Sequence, residues 1–459
     1  MLNELPVLGS LKKVGNFEKK PRSWEYVPSA NPRKKLSVCM VEPGEEENRG
    51  SIGCTFVMNA ARAAGFEIDY LDPDSVKTGY DVELISVHHC TDFVPLSKLK
   101  RRAPIRIVGG HPTVNNVRPA IPFGDIFCIG EGEEWIGWVL DALARGQSLD
   151  TIANFPGTLV RQFHKMGDYI PMSLTVNPLP KHKPYLNRPG NGHAANWYIE
   201  MARGCPYACH YCELGHAWKY RMADTDYLIE QIDMIDKKQS NKVTLFAPDE
   251  ASHPGYGAAL RHIAKRKLVT SFGSMRLDQI MRGELPLPKN MLIRVGLDGL
   301  SEETRFRVGR KQTDDDVVEY FQFMVDRGNV QFKIFMVFCY PWDTIDDFEK
   351  WELLMWRIAN IRTPRNINCR IKFTPFIPQP STPLGKEPPS YNHDLIQRAK
   401  DWFKMHGTPK HSPGWYFVND GIMSERSHTI QCALTLGTED LITSGVDLDA
   451  YECLKGYRI

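Results

Sequence analysis

The sequence predicts an α/β protein: an N-terminal doubly wound, Rossmann-like parallel sheet, then a partial (β/α)6 barrel of the TIM type, then a small C-terminal extension. Three observations predict it. Apolar, strand-like runs alternate with helical spacing over residues 35–150. The period is lost in a proline-rich stretch at 151–194, and a second, longer alternation follows over 195–390.

A basic, proline-containing leader occupies residues 1–34. LSVCMVEPG (36–44) then reads as a buried strand ending in a turn, and FVMNAARAAGF (56–66) as a helix. EIDYLD, VELISVHH and IRIVGG are further strands. DIFCIGEGEEWIGWVLDALARG reads as a short strand, a glycine turn and an amphipathic helix over 133–144. Pro156, Pro171, Pro178, Pro180, Pro184 and Pro189 mark the connector as a surface linker. In the second series the strands are WYIEMARG, KVTLFAP, LVTSFGSM, LIRVGLDG, VQFKIFMVF and RIKFTPF, and right-handed crossovers in that number curl a sheet towards a barrel. The extension, 391–459, shows one helix and then no clear period.

Composition narrows the class. With 42% apolar and 24% charged residues the chain reads as folded throughout, and a net charge of +2 over 459 residues names no polyanionic partner. The basic patches at 19–22, 33–35 and 98–102 read as solvated faces. Neither a signal peptide nor a membrane-spanning run is visible, which predicts a cytoplasmic protein with no membrane partner. In that reducing setting the 11 cysteines are not expected to form a disulfide framework, so close cysteine spacing points to metal or redox chemistry.

GCPYACHYC (204–212) is such a spacing. It puts Cys205, Cys209 and Cys212 within eight positions, directly after a strand, at the barrel mouth where loops carry chemistry. Three thiolates on one loop can hold three irons of a cubane and leave the fourth open to a small-molecule chelate. A zinc site would need a fourth ligand, for which His210 or His216 is the candidate.

Cys-x3-Cys-x2-Cys with Tyr211 before the last cysteine resembles the signature of the radical S-adenosylmethionine (SAM) superfamily. The resemblance implies a [4Fe–4S] cluster on Cys205, Cys209 and Cys212, SAM chelated at the open iron, and a 5′-deoxyadenosyl radical that takes hydrogen from substrate. It also implies an external electron donor such as flavodoxin or ferredoxin. It continues along the chain in KYRMADTDYLIEQIDMI, APDEASHPG, SMRLD, VGLDGLSEETRFRVGRKQT and FTPFIPQPSTPL. By resemblance, Tyr211, Asp249, Glu250, Ser274, Arg276 and Asp298 are candidate SAM contacts. FCYPWDTIDDF departs from the family pattern, with Cys339 and Tyr340 where a glycine-leucine pair is usual.

Residues 105–135 resemble the cobalamin-binding-type domain that precedes many members of this superfamily, with Gly109, Gly110, Gly130 and Gly132 in its two glycine turns. Glycines there let a backbone approach a flat ring; tight turns alone also require them. The Asp-x-His-x-x-Gly motif that supplies cobalt with a histidine is absent, and His88, His89 and His111 read as polar turn residues. Methylthiotransferases offer another model, with a second cluster on Cys54, Cys90 and Cys128. Cys339, Cys369, Cys432 and Cys453 read as core thiols.

The expected function is functionalisation of an unactivated carbon, with cobalamin-dependent methyl transfer first. A cobalamin-free rearrangement or methylthiolation is the alternative, and a non-catalytic binding or regulatory protein the alternative of another class. The substrate is left open among small molecules, nucleotides and peptides. The basic and aromatic DWFKMHGTPKHSPGWYFVND (401–420) suits a nucleotide, a peptide or a domain cap.

Overall fold

The computed structural model describes residues 36–45, 49–165, 175–176, 178–187, 195–273, 275–282, 285–286, 291–407 and 414–444. The leader, Pro171, Pro189, Ser274 and Cys453 lie outside the described residues.

The N-terminal unit runs β1 (Val38–Val41), α1 (Ile52–Ala63), β2 (Ile68–Leu71), β3 (Val82–Val87), α2 (Phe93–Lys98), β4 (Ile105–Gly110), α3 (His111–Asn116), β5 (Ile126–Cys128), α4 (Gly132–Ala144), α5 (Leu149–Ala153) and β6 (Thr158–Val160). Strand order is β2-β1-β3-β4-β5-β6, parallel except for β6, which closes the edge antiparallel to β5. Strands such as VCMV are apolar at every position because helices cover both faces. One patch corrects the reading of 98–102 as a solvated face. Arg102 turns inward and, with Arg106, pairs with the fully buried Glu83 at 3.1 and 2.8 Å.

The second unit runs β7 (Tyr185–Asn187), β8 (Asn196–Glu200), β9 (Ala202–Arg203), β10 (Arg221–Met222), α6 (Thr225–Asp233), β11 (Lys242–Phe246), α7 (Tyr256–Lys265), β12 (Val269–Ser271), α8 (Leu277–Arg282), β13 (Leu292–Gly296), α9 (Glu302–Arg307), α10 (Asp314–Asp326), β14 (Gln331–Phe338), α11 (Ile345–Ala359), β15 (Ile367–Pro375), α12 (His393–His406), β16 (Trp415–Ile422) and α13 (Glu425–Leu436). The expected barrel forms as two half-sheets, β12-β11-β8-β7 and β13-β14-β15-β16. Across the seam the Met275 N–H donates to the Arg294 carbonyl at 3.0 Å, and one apolar core runs through both halves. It is an open, partial barrel.

The C-terminal region does more than the sequence suggests. β16 extends the barrel sheet parallel to β15, and α13 then crosses to the N-terminal sheet, where Ile430 and Leu434 pack with Val94 and Ile121. Asn116 fastens the crossing by donating to the carbonyls of Thr435 (3.1 Å) and Gly437 (2.9 Å). ERSHTIQCALTL lacks a single apolar stripe because α13 is buried on several sides; His428 reaches the Phe376 carbonyl at 2.8 Å.

A buried ion network joins the two units. Glu131, in the turn before α4, accepts from Arg221 Nη1 at 2.9 Å and lies 3.4 Å from Arg203, while Arg203 also holds Glu133 (2.8 Å) and Glu200 (2.9 Å). Burial pushes the Glu133 carboxyl up, but Arg203 and His182 outweigh it and hold it at about 2. The Val176 N–H satisfies Glu131 further at 2.9 Å. Arg221→Met should therefore strand a buried carboxylate and cost about 3–5 kcal/mol, read as a lower urea midpoint. The double variant Arg221→Met/Glu131→Met should recover most of that loss, and no recovery would show that the pair is not what holds the joint.

Candidate functional site

The cysteine loop hangs between β9 and β10, which pair antiparallel and fix its two ends. Gly204 enters it at φ +72, and a Cβ there would lie 2.6 Å from the Lys219 carbonyl oxygen. Inside the loop, the Cys205 N–H donates to Leu214 (3.0 Å) and the Cys212 N–H to Cys209 (3.1 Å). Cys209 is buried, and Cys205 and Cys212 are half-buried. Burial raises the Cys205 thiol, and it pushes Cys212 up to about 12, with the neighbouring cysteines adding to both shifts. Opposing this, the backbone N–H groups of Tyr207 and Leu214 favour the ionised forms of Cys205 and Cys212.

The loop is tied to several strand exits. Tyr207 bonds Ser252 (2.7 Å), which donates to Asp249, and Asp249 also accepts the Arg276 N–H at 3.0 Å. The Arg276 guanidinium lies 3.9 Å over the Tyr207 ring. Tyr211 donates to Asp298 at 2.7 Å, and Arg310 meets both, at 3.0 Å from the Tyr211 hydroxyl and 2.5 Å from Asp298. The His210 N–H reaches Val308 (2.9 Å), and Leu384 donates back to His210 (3.0 Å).

Of the candidate SAM contacts, the structure therefore brings Tyr211, Asp249, Arg276 and Asp298 to the cysteine loop. Ser274 lies outside the described residues. Glu250 faces away from the loop, accepting from Tyr256 (2.7 Å) and the Gly273 N–H (2.7 Å), and burial raises its carboxyl to about 7. Sequence reasoning assigned no role to Tyr207, Arg203, Arg221 or Arg310, although all four lie within or beside the quoted motifs.

Above the loop lies a cavity of ≈ 530 Å³ between the two units. Gly109, Gly110, Gly130 and Gly132 line one wall, and Ala202, Gly204, Leu214, Trp218 and Pro248 line the other. The C-terminal ends of both parallel sheets thus face each other across it, where α/β sheets bind ligands. The Trp218 indole nitrogen is buried without a partner among the described residues. Packing accounts for some of the glycines: at Gly110 (φ +134) a Cβ would lie 1.9 Å from the Val87 carbonyl oxygen, and at Gly109 it would lie 3.2 Å from the Cys128 Cβ.

Among the described residues no three His, Cys, Asp or Glu side chains already sit in metal-holding geometry. The loop offers a donor set rather than a closed shell. Its chemistry fits an iron–sulfur cluster: three neighbouring thiols, backbone N–H groups directed at two of them, and a backbone pinned at both ends. The other trio is scattered. Cys54 is buried on α1 with its sulfur 3.9 Å from that of Met58, Cys128 sits in β5, and Cys90 is beside His89 and Thr435. Cys339, Cys369 and Cys432 are buried, as expected of core thiols.

A parallel-stranded partial barrel with a three-cysteine loop at its mouth defines a class, and the comparisons name it. Residues 199–353 match the family model described as the radical SAM superfamily, a family that uses a [4Fe–4S] cluster and SAM, so this part of the chain carries a radical SAM domain. Among solved structures it is similar to the cobalamin-dependent S-adenosylmethionine radical enzyme OxsB with aqua-cobalamin and S-adenosylmethionine bound, at 14% identity and a TM-score of 0.52, covering 87% of this chain and 66% of that one. It is also similar to coproporphyrinogen III oxidase (HemN) from Escherichia coli, at 13% identity and a TM-score of 0.32, covering 46% of this chain and 52% of that one. The chain spans between about half and two thirds of the length of these structures. No curated protein matches it. Among the described residues no helix is long and apolar enough to cross a membrane.

Glu250 supplies a pH test. Its folded-state value, about 7, exceeds the ordinary 4.5, so its contribution is fully present below pH 4.5 and is lost as pH rises through 7. Glu250→Gln keeps an acceptor for the Gly273 N–H, leaves its amide N–H to donate to the Tyr256 hydroxyl, and removes this dependence. Relative to wild type it should gain stability between about pH 5 and about pH 8, on the order of 3 kcal/mol in total. Urea midpoints at the two pH values measure it, and parallel curves would refute the assignment.

Proposed function

We propose that the chain is a cobalamin-dependent radical SAM methyltransferase acting on an unactivated carbon. The observation that carries this reading is the interdomain cavity, which has four glycines on one side and the flank of the cysteine loop on the other. Cys205, Cys209 and Cys212 are the residues that would hold the cluster. Tyr211, Asp249, Arg276 and Asp298 would shape the SAM site at the strand exits, and Gly109, Gly110, Gly130 and Gly132 would face cobalamin. When bound, cluster and SAM supply 5′-deoxyadenosyl radical chemistry, and cobalamin supplies a methyl carrier.

The chain's own residues position and exclude. The ties from Tyr207 to Asp249 and from Tyr211 to Asp298 fix the loop relative to the barrel mouth. Apolar side chains such as Leu214, Phe246 and Pro248 give the cavity an apolar lining that disfavours water. The fold likeness to OxsB, whose structure holds aqua-cobalamin and S-adenosylmethionine, supports the same reading. An external flavodoxin- or ferredoxin-type donor would deliver the electron.

Anaerobic reconstitution with iron and sulfide, with and without hydroxocobalamin, tests it. A brown chromophore that Cys205→Ala, Cys209→Ala and Cys212→Ala each abolish, cobalamin retained through gel filtration, and both 5′-deoxyadenosine and S-adenosylhomocysteine in the products are expected. A cluster without cobalamin retention would leave a cobalamin-free radical enzyme, and a chromophore insensitive to the three substitutions would overturn the ligand assignment.

A further inference from the structure

The strands β13–β16 carry four cations, Arg294, Lys333, Arg370 and Lys372, against one carboxylate, Asp420. All four cations share one face. Their strand neighbours Ile293, Val295, Phe332, Ile334, Cys369 and Ile371 belong to the core beneath the helices, so the cations alternate onto the opposite, interior face of the open barrel. Register sets three of them in a row: Arg294 is the partner of Lys333, and Lys333 of Arg370. A closed barrel fills such positions with branched apolar side chains. Here they stay within reach of solvent, Arg370 exposed and Arg294, Lys333 and Lys372 half-buried.

Two of the cations have structural partners. Arg294 donates to the Phe272 carbonyl across the seam between the half-sheets. Lys333 bonds Asp420 at 2.6 Å, its side chain crossing over β15, and lies 5.0 Å from the centre of the Phe335 ring. One carboxylate among four cations leaves the face positive. Lys372 stands in that field: burial holds its ammonium below the usual value, Lys333 lowers it further, and Asp420 offsets the two in part. An ammonium disfavoured in this way gains from an anion brought beside it.

The row also has a fixed height in the barrel. Lys372 is the partner of Phe335, and Phe335 of Gly296. The Gly296 carbonyl accepts from Arg310 Nη1 at 3.1 Å, and Arg310 holds Tyr211 of the cysteine loop. A molecule anchored at Lys372 by one end therefore lies beneath the mouth that carries the three thiols.

We propose that this interior face binds an oxyanion, a carboxylate or phosphate at one end of the substrate, held by Lys372 and Lys333 with Arg370 beside them. Its use as a substrate subsite rests on the function proposed above, but its affinity for the anion does not.

Saturation-transfer NMR on the full chain at constant ionic strength, with phenyl phosphate, benzoate and benzyl alcohol as probes, tests it. One or both anions should bind about tenfold more tightly than the neutral alcohol, and Lys372→Gln should lose that factor. Asp420→Asn removes the competing carboxylate and should strengthen anion binding, a gain that misfolding does not produce. Lys350→Gln, on the outer helix α11, should bind as wild type does. Preference for phenyl phosphate assigns a phosphate and preference for benzoate a carboxylate; either supports the site. Equal binding of the alcohol, Lys372→Gln matching wild type, or an equal loss in Lys350→Gln would overturn it. Anion preference kept in Cys205→Ala, which loses the cluster, upholds this site whatever becomes of the radical reading, and a reconstituted cluster without anion preference overturns this site alone.

Discussion

The contact on which the rest of the site depends is the buried pairing of Glu131 with Arg221 and Arg203. A carboxylate and a guanidinium taken out of water lose several kcal/mol each, and only close, multiply bonded geometry offsets that loss. Here the geometry is supplied from both sides: Glu131 sits in a glycine turn, Arg221 in the ribbon that brackets the cysteines, and the Val176 N–H satisfies the carboxylate further. Such a pair adds little net stability over an apolar contact, but it tolerates few alternative arrangements. It therefore fixes where the strand ends of one sheet stand relative to those of the other, and the cavity between them follows from that.

The cysteine loop obeys the same logic on a smaller scale. The polar side chains that touch it come from several strand exits and from the α9–α10 connection, so the loop is located by several weak ties instead of one strong one. Tyr207 reaches the β11 exit and Tyr211 the β13 exit, while the backbone of His210 is held from both the α9 and β15 sides. The sulfur atoms are left to backbone N–H groups, which stabilise thiolate without competing as ligands.

Which parts were legible in the sequence follows from the range of the interactions. Parallel strands announce themselves locally, VELISV because nearly every position is buried and FKIFMVF because every second position is, and the cysteine spacing is a local chemical pattern. The Glu131–Arg221 pair is not local. Its partners are 90 residues apart, and nothing about a Gly-Glu-Gly-Glu turn says which cation will meet it. Arg102 was misread for the same reason: a basic run looks solvated until Glu83, 19 residues earlier, is seen to be buried beneath it. α13 stayed hidden because a helix packed on several sides has no amphipathic stripe to read.

His88 and His111 line the interdomain cavity and also a smaller one of ≈ 240 Å³ beside it, and both rings are held in place. His88 is held by Glu42 at 2.6 Å, and Glu42, although buried, is kept at about 2 by its bonds to that ring. His111 is stacked 5.8 Å from Trp218 and lies 3.3 Å from Glu213. Each ring therefore gives one edge to a carboxylate, which fixes it where the two cavities meet. The glycines contribute differently. At Gly110 the close approach of Val87 already requires the residue, so its presence is no measure of a ligand, whereas at Gly132 the nearest atom to a Cβ is the Val57 side chain, which borders the same cavity.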